Sequence, residues 1–307
     1  MAITLNKKEL LSIKSILQVF FFLALLTGCV IPSFKFMGVL YVQIFSPVLL
    51  SVVVSSIALS TKKGAQLLSV AFNIFFLQML LFSGVEQVVL QYRNIRAGQG
   101  FTGWINTFYY DKLLATMLVW ATAMAWYTSV KLFKKTRQKG FDEKYDTFFN
   151  VSSRGFLVFY AAVLLYGFVI IRVDSSQAGT VNLVPFKTIA GYFTGAKHLE
   201  FENFFLFLGN ILILMPMGFF LSVKKDKICY PLLAIVPVIV SSAVELSQAL
   251  FKNGDCDIDD VILNTAGFCF GFFVKTLLDK AIRKKAGNPK EVMFNWRPIS
   301  FVSQKAQ

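Results

Sequence analysis

Histidine is almost absent from this chain: His198 is the only one among 307 residues. That excludes a metal site built on several imidazoles. The four cysteines, Cys29, Cys229, Cys256 and Cys269, show no CxxC or paired spacing. They offer neither a disulfide framework nor a zinc pattern. Acidic residues are also scarce, 17 against 31 Lys and Arg, for a net charge of +14. In a soluble domain such an excess would suggest nucleic acid, but no basic soluble domain is present to carry it. We expect no nucleic-acid partner.

Apolar residues make up 56% of the chain, with 34 Phe and a mean hydropathy of +0.61. Ordinary soluble domains run at roughly 45–50% apolar. Several runs approach the roughly 20 residues needed to cross a bilayer. The expected fold is an all-α polytopic transmembrane bundle of about eight spans. We place these at 15–31, 39–60, 65–91, 113–130, 155–172, 204–223, 229–250 and 260–278. An even number puts both termini on one side. With both termini cytoplasmic, the inner segments hold 23 Lys and Arg and the outer segments eight, which is the bias that sets orientation. The loop from Lys252 to Asp260 then faces out.

Residues 1–131 read as an N-terminal four-span region and 132–154 as a basic cytoplasmic linker. Residues 155–280 read as a second four-span domain, and 281–307 as a basic cytoplasmic tail. That tail, with Lys280, Arg283, Lys284, Lys285, Lys290 and Arg297 around it, suits anionic lipid at the inner leaflet. Leu26-Thr27-Gly28-Cys29 has the look of a lipobox. In a polytopic chain a retained first helix is the simpler reading, and lipidation of Cys29 stays open. Four spans in each half would permit a parallel repeat, although the outer loops do not correspond.

The polar residues of the second half concentrate near Ser241–Gly271. Ser241, Glu245 and Gln248 fall at i, i+4 and i+7 and share one helical face. Asp260, Asn264, Gly267 and Gly271 share another. A polar face inside an apolar helix is costly unless it meets a partner or a wet cavity. Between the two runs lie Asp255, Asp257 and Asp259. Asn210 sits early in the sixth span, before Pro216, and Asn182-Leu183-Val184-Pro185-Phe186 lies in the long preceding outer loop. The expected topology brings Asn182, Asn210, Glu245, Gln248, Asp257, Asp259, Asp260 and Asn264 to one level, at or near the outer surface. Carboxylates there could bind a divalent cation, act as acid and base, or hydrogen-bond a sugar or lipid headgroup. The structural alternative is a polar network that staples the last two spans together. Gly267-x-x-x-Gly271 is most simply a close-packing face.

These motifs resemble the VanZ-like family of bacterial membrane proteins. The matching pieces are Asn182 to Phe186, Asn210 with Pro216-Met217-Gly218, Glu245-x-x-Gln248, and Asp257-Ile258-Asp259-Asp260 through Asn264 to Gly267. The resemblance covers about residues 155 to 280. The family pattern usually carries Gly-Arg-x-x-Asp before the acidic run, where this chain has Asn253-Gly254-Asp255-Cys256. The resemblance implies a multi-pass protein of the bacterial cell membrane. The family's founding member is associated with resistance to teicoplanin, without a secure biochemical mechanism. The first expectation is a protein that binds a lipid headgroup or lipid-linked cell-wall precursor at the outer leaflet. An enzyme acting on a lipid headgroup, with Glu245 or Asp260 as base, is the second. A lipid-precursor transporter is the third, and the few polar residues in the inner halves of the last three spans count against it.

Overall fold

The computed structural model describes residues 3–6, 12–35, 40–61, 63–98, 108–133, 141–165, 181–194, 201–220, 230–251, 256–286 and 299–302. Among them helices dominate. In chain order these are α1 (Ile13–Lys35), α2 (Leu40–Ser60), α3 (Gly64–Arg96), α4 (Phe108–Phe133), α5 (Phe141–Leu165), α6 (Lys187–Thr194), α7 (Phe201–Phe220), α8 (Tyr230–Phe251) and α9 (Ile258–Ala286). Four are long and apolar enough to cross a membrane, over Ile13–Val30, Gly64–Val85, Asp142–Leu165 and Ile258–Lys285. Shorter apolar stretches lie at Ser46–Ser60, Phe207–Phe220 and Ile235–Leu246. The chain is thus a helical membrane protein. It forms two compact units, Met1–Tyr166 with Phe294–Gln307, and Gly167–Met293.

The first unit holds α1 to α5, with α3 packed on each of the other four. A parallel pair of short strands, β1 (Ile3–Asn6) and β4 (Ile299–Val302), joins the two ends of the chain in register Ile3 to Ile299. The core is aromatic. Phe148 is fully buried, stacks on Tyr127 at 4.2 Å between centroids and meets Phe72 edge-on at 5.9 Å. Trp120 stacks on Phe156 at 3.8 Å, and its indole N–H donates to Ser152 Oγ at 3.2 Å. Ser56, Ser60, Ser69 and Ser152 bond a carbonyl one turn back, as Ser152 does with Phe148 at 2.7 Å, whereas Ser51 reaches across to the Val119 carbonyl at 2.6 Å.

The stretch 132–154, expected to be a basic linker, is in good part helix, because α5 begins at Phe141. Its charges overlie an apolar period. Tyr145, Phe148 and Phe149 recur at helical spacing and are all buried. Asp142 and Glu143 occupy the first turn, where carboxylates favour the helix dipole. Lys131 and Lys144 are engaged within the unit. Lys131 is buried, with its ammonium 4.3 Å from the Tyr145 ring centre and 3.9 Å from Asp142. Lys144 donates to the carbonyls of Leu59 and Thr61, at 3.3 and 2.8 Å, and so closes the end of α2. The expected fifth span, 155–172, overlaps α5 only as far as Leu165, and residues 166–172 lie outside the described ones.

The second unit packs differently. α7 lies against α9 through glycines: a Cβ on Gly267 would run into the Ile211 carbonyl, one on Gly271 into that of Met215, and one on Gly218 into that of Phe268. The pairing advances in the same direction on both helices, so they run parallel, with α8 as the return. α9 continues to Ala286, so the first residues of the expected tail are helical. Its lower half contains a buried pair, Lys275 with Asp279 at 2.6 Å, one turn apart.

Candidate functional site

The site is built at the start of α9, where two-residue strands pair in parallel: β2 (Val181–Asn182) and β3 (Cys256–Asp257), with Asn182 opposite Asp257. This bridge brings the Asn182 segment to the acidic run. Asn182 Nδ2 donates to Asp257 Oδ1 at 3.0 Å and to Thr188 Oγ1 at 3.1 Å. Thr188 Oγ1 in turn donates to Asp257 Oδ2 at 2.5 Å. The Asp259 amide donates to Asp257 Oδ1 at 2.9 Å. Asp257 is 9% exposed, and both its oxygens accept from neutral groups.

Asp259 is 0% exposed and caps α6. Its Oδ1 accepts from the Phe186 amide at 2.5 Å, and its Oδ2 from Thr188 and Ile189 at 2.7 and 3.0 Å. Phe186 adopts φ 65°, the left-handed region that a bulky residue rarely enters. That conformation costs roughly 1–2 kcal/mol, and the charge-assisted bond to Asp259 holds it. An Asx turn from Val184 N–H to Asn182 Oδ1, 3.3 Å, shapes the chain just before it.

Glu245 reaches the same cluster from α8: its Oε2 accepts from the Asp257 amide at 2.9 Å, and it is 5% exposed. Asn210 on α7 donates to Asp260 Oδ1 on α9. One turn further along, Asn264 Nδ2 donates to Ser241 Oγ at 2.8 Å. Asn182, Asn210, Glu245, Asp257, Asp259, Asp260 and Asn264 thus come together at one end of the second unit. Gln248 lies on α8, but its side chain is outside the described residues. Thr188 was missed by sequence reasoning. Its signal is slight, a hydroxyl in an eight-residue helix that no periodicity announces.

Burial and the carboxylates both act on the neighbouring groups. The Tyr192 phenol on α6 is pushed up by burial and then by Asp260, Asp257 and Asp259. The Cys256 thiol is pushed up by burial and then by Glu245 and Asp257. Among the described residues no group of three or more His, Cys, Asp and Glu is arranged to hold a metal ion.

A helical membrane protein with an acid-centred, strand-tied site is the class that fold and geometry define. The comparisons with known proteins make it specific. The family model VanZ/LLP1 matches residues 156–279. Protein VanZ of Enterococcus faecium is 30% identical over 143 residues, 44% of this chain and 81% of that protein. The chain belongs to the VanZ-like family, with the family's domain in its C-terminal half. No solved structure matches it.

Proposed function

We propose that this protein binds a lipid headgroup or lipid-linked glycan at the outer leaflet of the bacterial cell membrane, and that it thereby contributes to teicoplanin resistance. The proposal takes the chain as multi-pass, with eight spans and both termini cytoplasmic. Eight helices of 20 to 33 residues supply the count this needs. The functional part is the VanZ-like region, 155–280.

One observation carries the reading. The acidic cluster clamps a segment that leaves many of its apolar side chains exposed. Val181, Leu183, Val184, Phe186 and Phe193 are all exposed, while Asn182 and Thr188 face the carboxylates. Apolar residues displayed beside a polar network suit the bilayer interface, where acyl chains meet headgroups. A ligand seated there would meet acceptors that hydroxyl or amine groups can donate to. Binding is favoured over catalysis because Asp257 and Asp259 are committed to holding the protein's own segments.

Two measurements test it. In a variant whose only cysteine is Cys256, a membrane-impermeant maleimide should label intact cells, whereas labelling only after permeabilisation would place the site on the wrong side. Purified protein should also retain lipid or lipid-linked glycan through detergent exchange. A protein that binds no such ligand would end the proposal.

A further inference from the structure

The lipid-binding reading leaves open which chemistry the site selects, and the inference here rests on that reading. Asp257 and Asp259 are two buried carboxylates whose hydrogen-bond donors are all neutral: amides of the backbone, the Asn182 amide group and the Thr188 hydroxyl. Buried charges are ordinarily paired with opposite charge. Hydrogen bonds satisfy the oxygens here but leave the negative charge in place; after burial, it adds to the upward shifts at Tyr192 and, through Asp257, at Cys256. A second observation is independent of the acids. Asn264 is 4% exposed, its Nδ2 bonds Ser241, and its Oδ1 is buried with no hydrogen-bond partner. It points into the α8–α9 seam, one turn from Asp260 on its own helix and bonded to the residue one turn from Glu245 on the other. A buried acceptor without a donor costs roughly 1–3 kcal/mol.

We propose that the site selects a ligand presenting a protonated primary amine, whose N–H groups serve Asn264 Oδ1 and whose charge answers the carboxylates. Such an ammonium has three donors and a compact charge. A quaternary amine has the charge without the donors, and a bare phosphate has neither. Lys187 is exposed and adjacent in the chain to Thr188, and its charge suits the phosphate of a zwitterionic headgroup. The same ammonium could arrive on an aminophospholipid or as a free amine.

The full-length protein in nanodiscs of fixed acyl composition tests this. Bound lipid is quantified by native mass spectrometry with phosphatidylethanolamine, phosphatidylcholine or phosphatidylglycerol as the guest. Phosphatidylethanolamine should bind about tenfold more tightly than phosphatidylcholine, the size of one charge-assisted hydrogen bond, and tighter still than phosphatidylglycerol. Asn264→Leu, close in volume, should remove that preference. Displacement by free ethanolamine at equal concentration would assign the ammonium to a soluble amine, and no displacement assigns it to the lipid. Equal binding of ethanolamine and choline lipids, or preference for phosphatidylglycerol, overturns the amine inference and leaves headgroup binding standing. Absence of binding by every headgroup overturns the amine inference and, with it, the headgroup form of the proposed function. If Asn264→Leu fails to fold, the three wild-type arms still decide.

Discussion

The two compact units hold themselves together by different means. The first interlocks large aromatic side chains, with polar side chains such as Ser51, Asn73 and Trp120 bonding across helices between them. The second brings backbones into contact through Gly218, Gly267 and Gly271, and its polar side chains bond between segments distant in sequence. Aromatic interlock fills the space between the helices of the first unit. Close backbone packing frees the ends of α7, α8 and α9 to present carboxylates and amides to one another. The second style builds a site, and it lies within the region that matches the family.

The contrast can be broken most forcefully in the first unit. Phe148→Ala removes a ring that touches Tyr127 and Phe72, and should cost about 3–5 kcal/mol. Phe148→Leu should cost far less. A thermal or denaturant series in detergent reads both, and a mild Phe148→Ala would mean that the aromatic core is not what holds this unit. In the second unit the opposite change should hurt. Gly267→Ala adds one methyl against the Ile211 carbonyl, and should cost about 1–3 kcal/mol. Indifference to the added methyl would refute close backbone packing.

Asp259→Asn sharpens the comparison further. It keeps the shape but leaves one oxygen where three amides now share two. We expect a loss of about 2 kcal/mol. Hydrogen exchange should quicken at Phe186, Thr188 and Ile189 and stay slow in α3. Uniform quickening would show that Asp259 acts on the whole unit rather than on α6. The smallest effect is at Cys256. Its raised pKa leaves little thiolate at neutral pH, so maleimide labelling should be slow and should speed up with alkalinity. Glu245→Gln removes one of the charges responsible and should speed labelling at neutral pH. An unchanged rate would separate Glu245 from the thiol.

Much of the second unit is legible in the sequence because helical spacing carries it. Gly267 and Gly271 four residues apart announce a packing face. Asp260 with Asn264, and Ser241 with Glu245, announce two polar faces that meet. The β2–β3 bridge is not legible, since two-residue strands have no period to read. The role of Asp259 is hidden for a related reason: it caps α6, whose eight residues leave no clear pattern. α5 is missed before residue 155 because Lys and Arg suggest a loop, while Tyr145, Phe148 and Phe149 keep the helical period beneath them. For the bridge and for Asp259 the missing information is a tertiary contact.

The central claim is that the charge at the head of α9 serves a ligand and does more than staple helices. Glu245→Gln tests it most directly. The amide still offers an oxygen to the Asp257 backbone N–H, so the staple survives while the charge is lost. Ligand retention per folded molecule, measured beside detergent stability, is the quantity to compare. The account predicts that retention collapses while folded yield and stability stay near wild type. Retention that falls only as far as folded protein falls would contradict it, and would leave the cluster as a structural clamp.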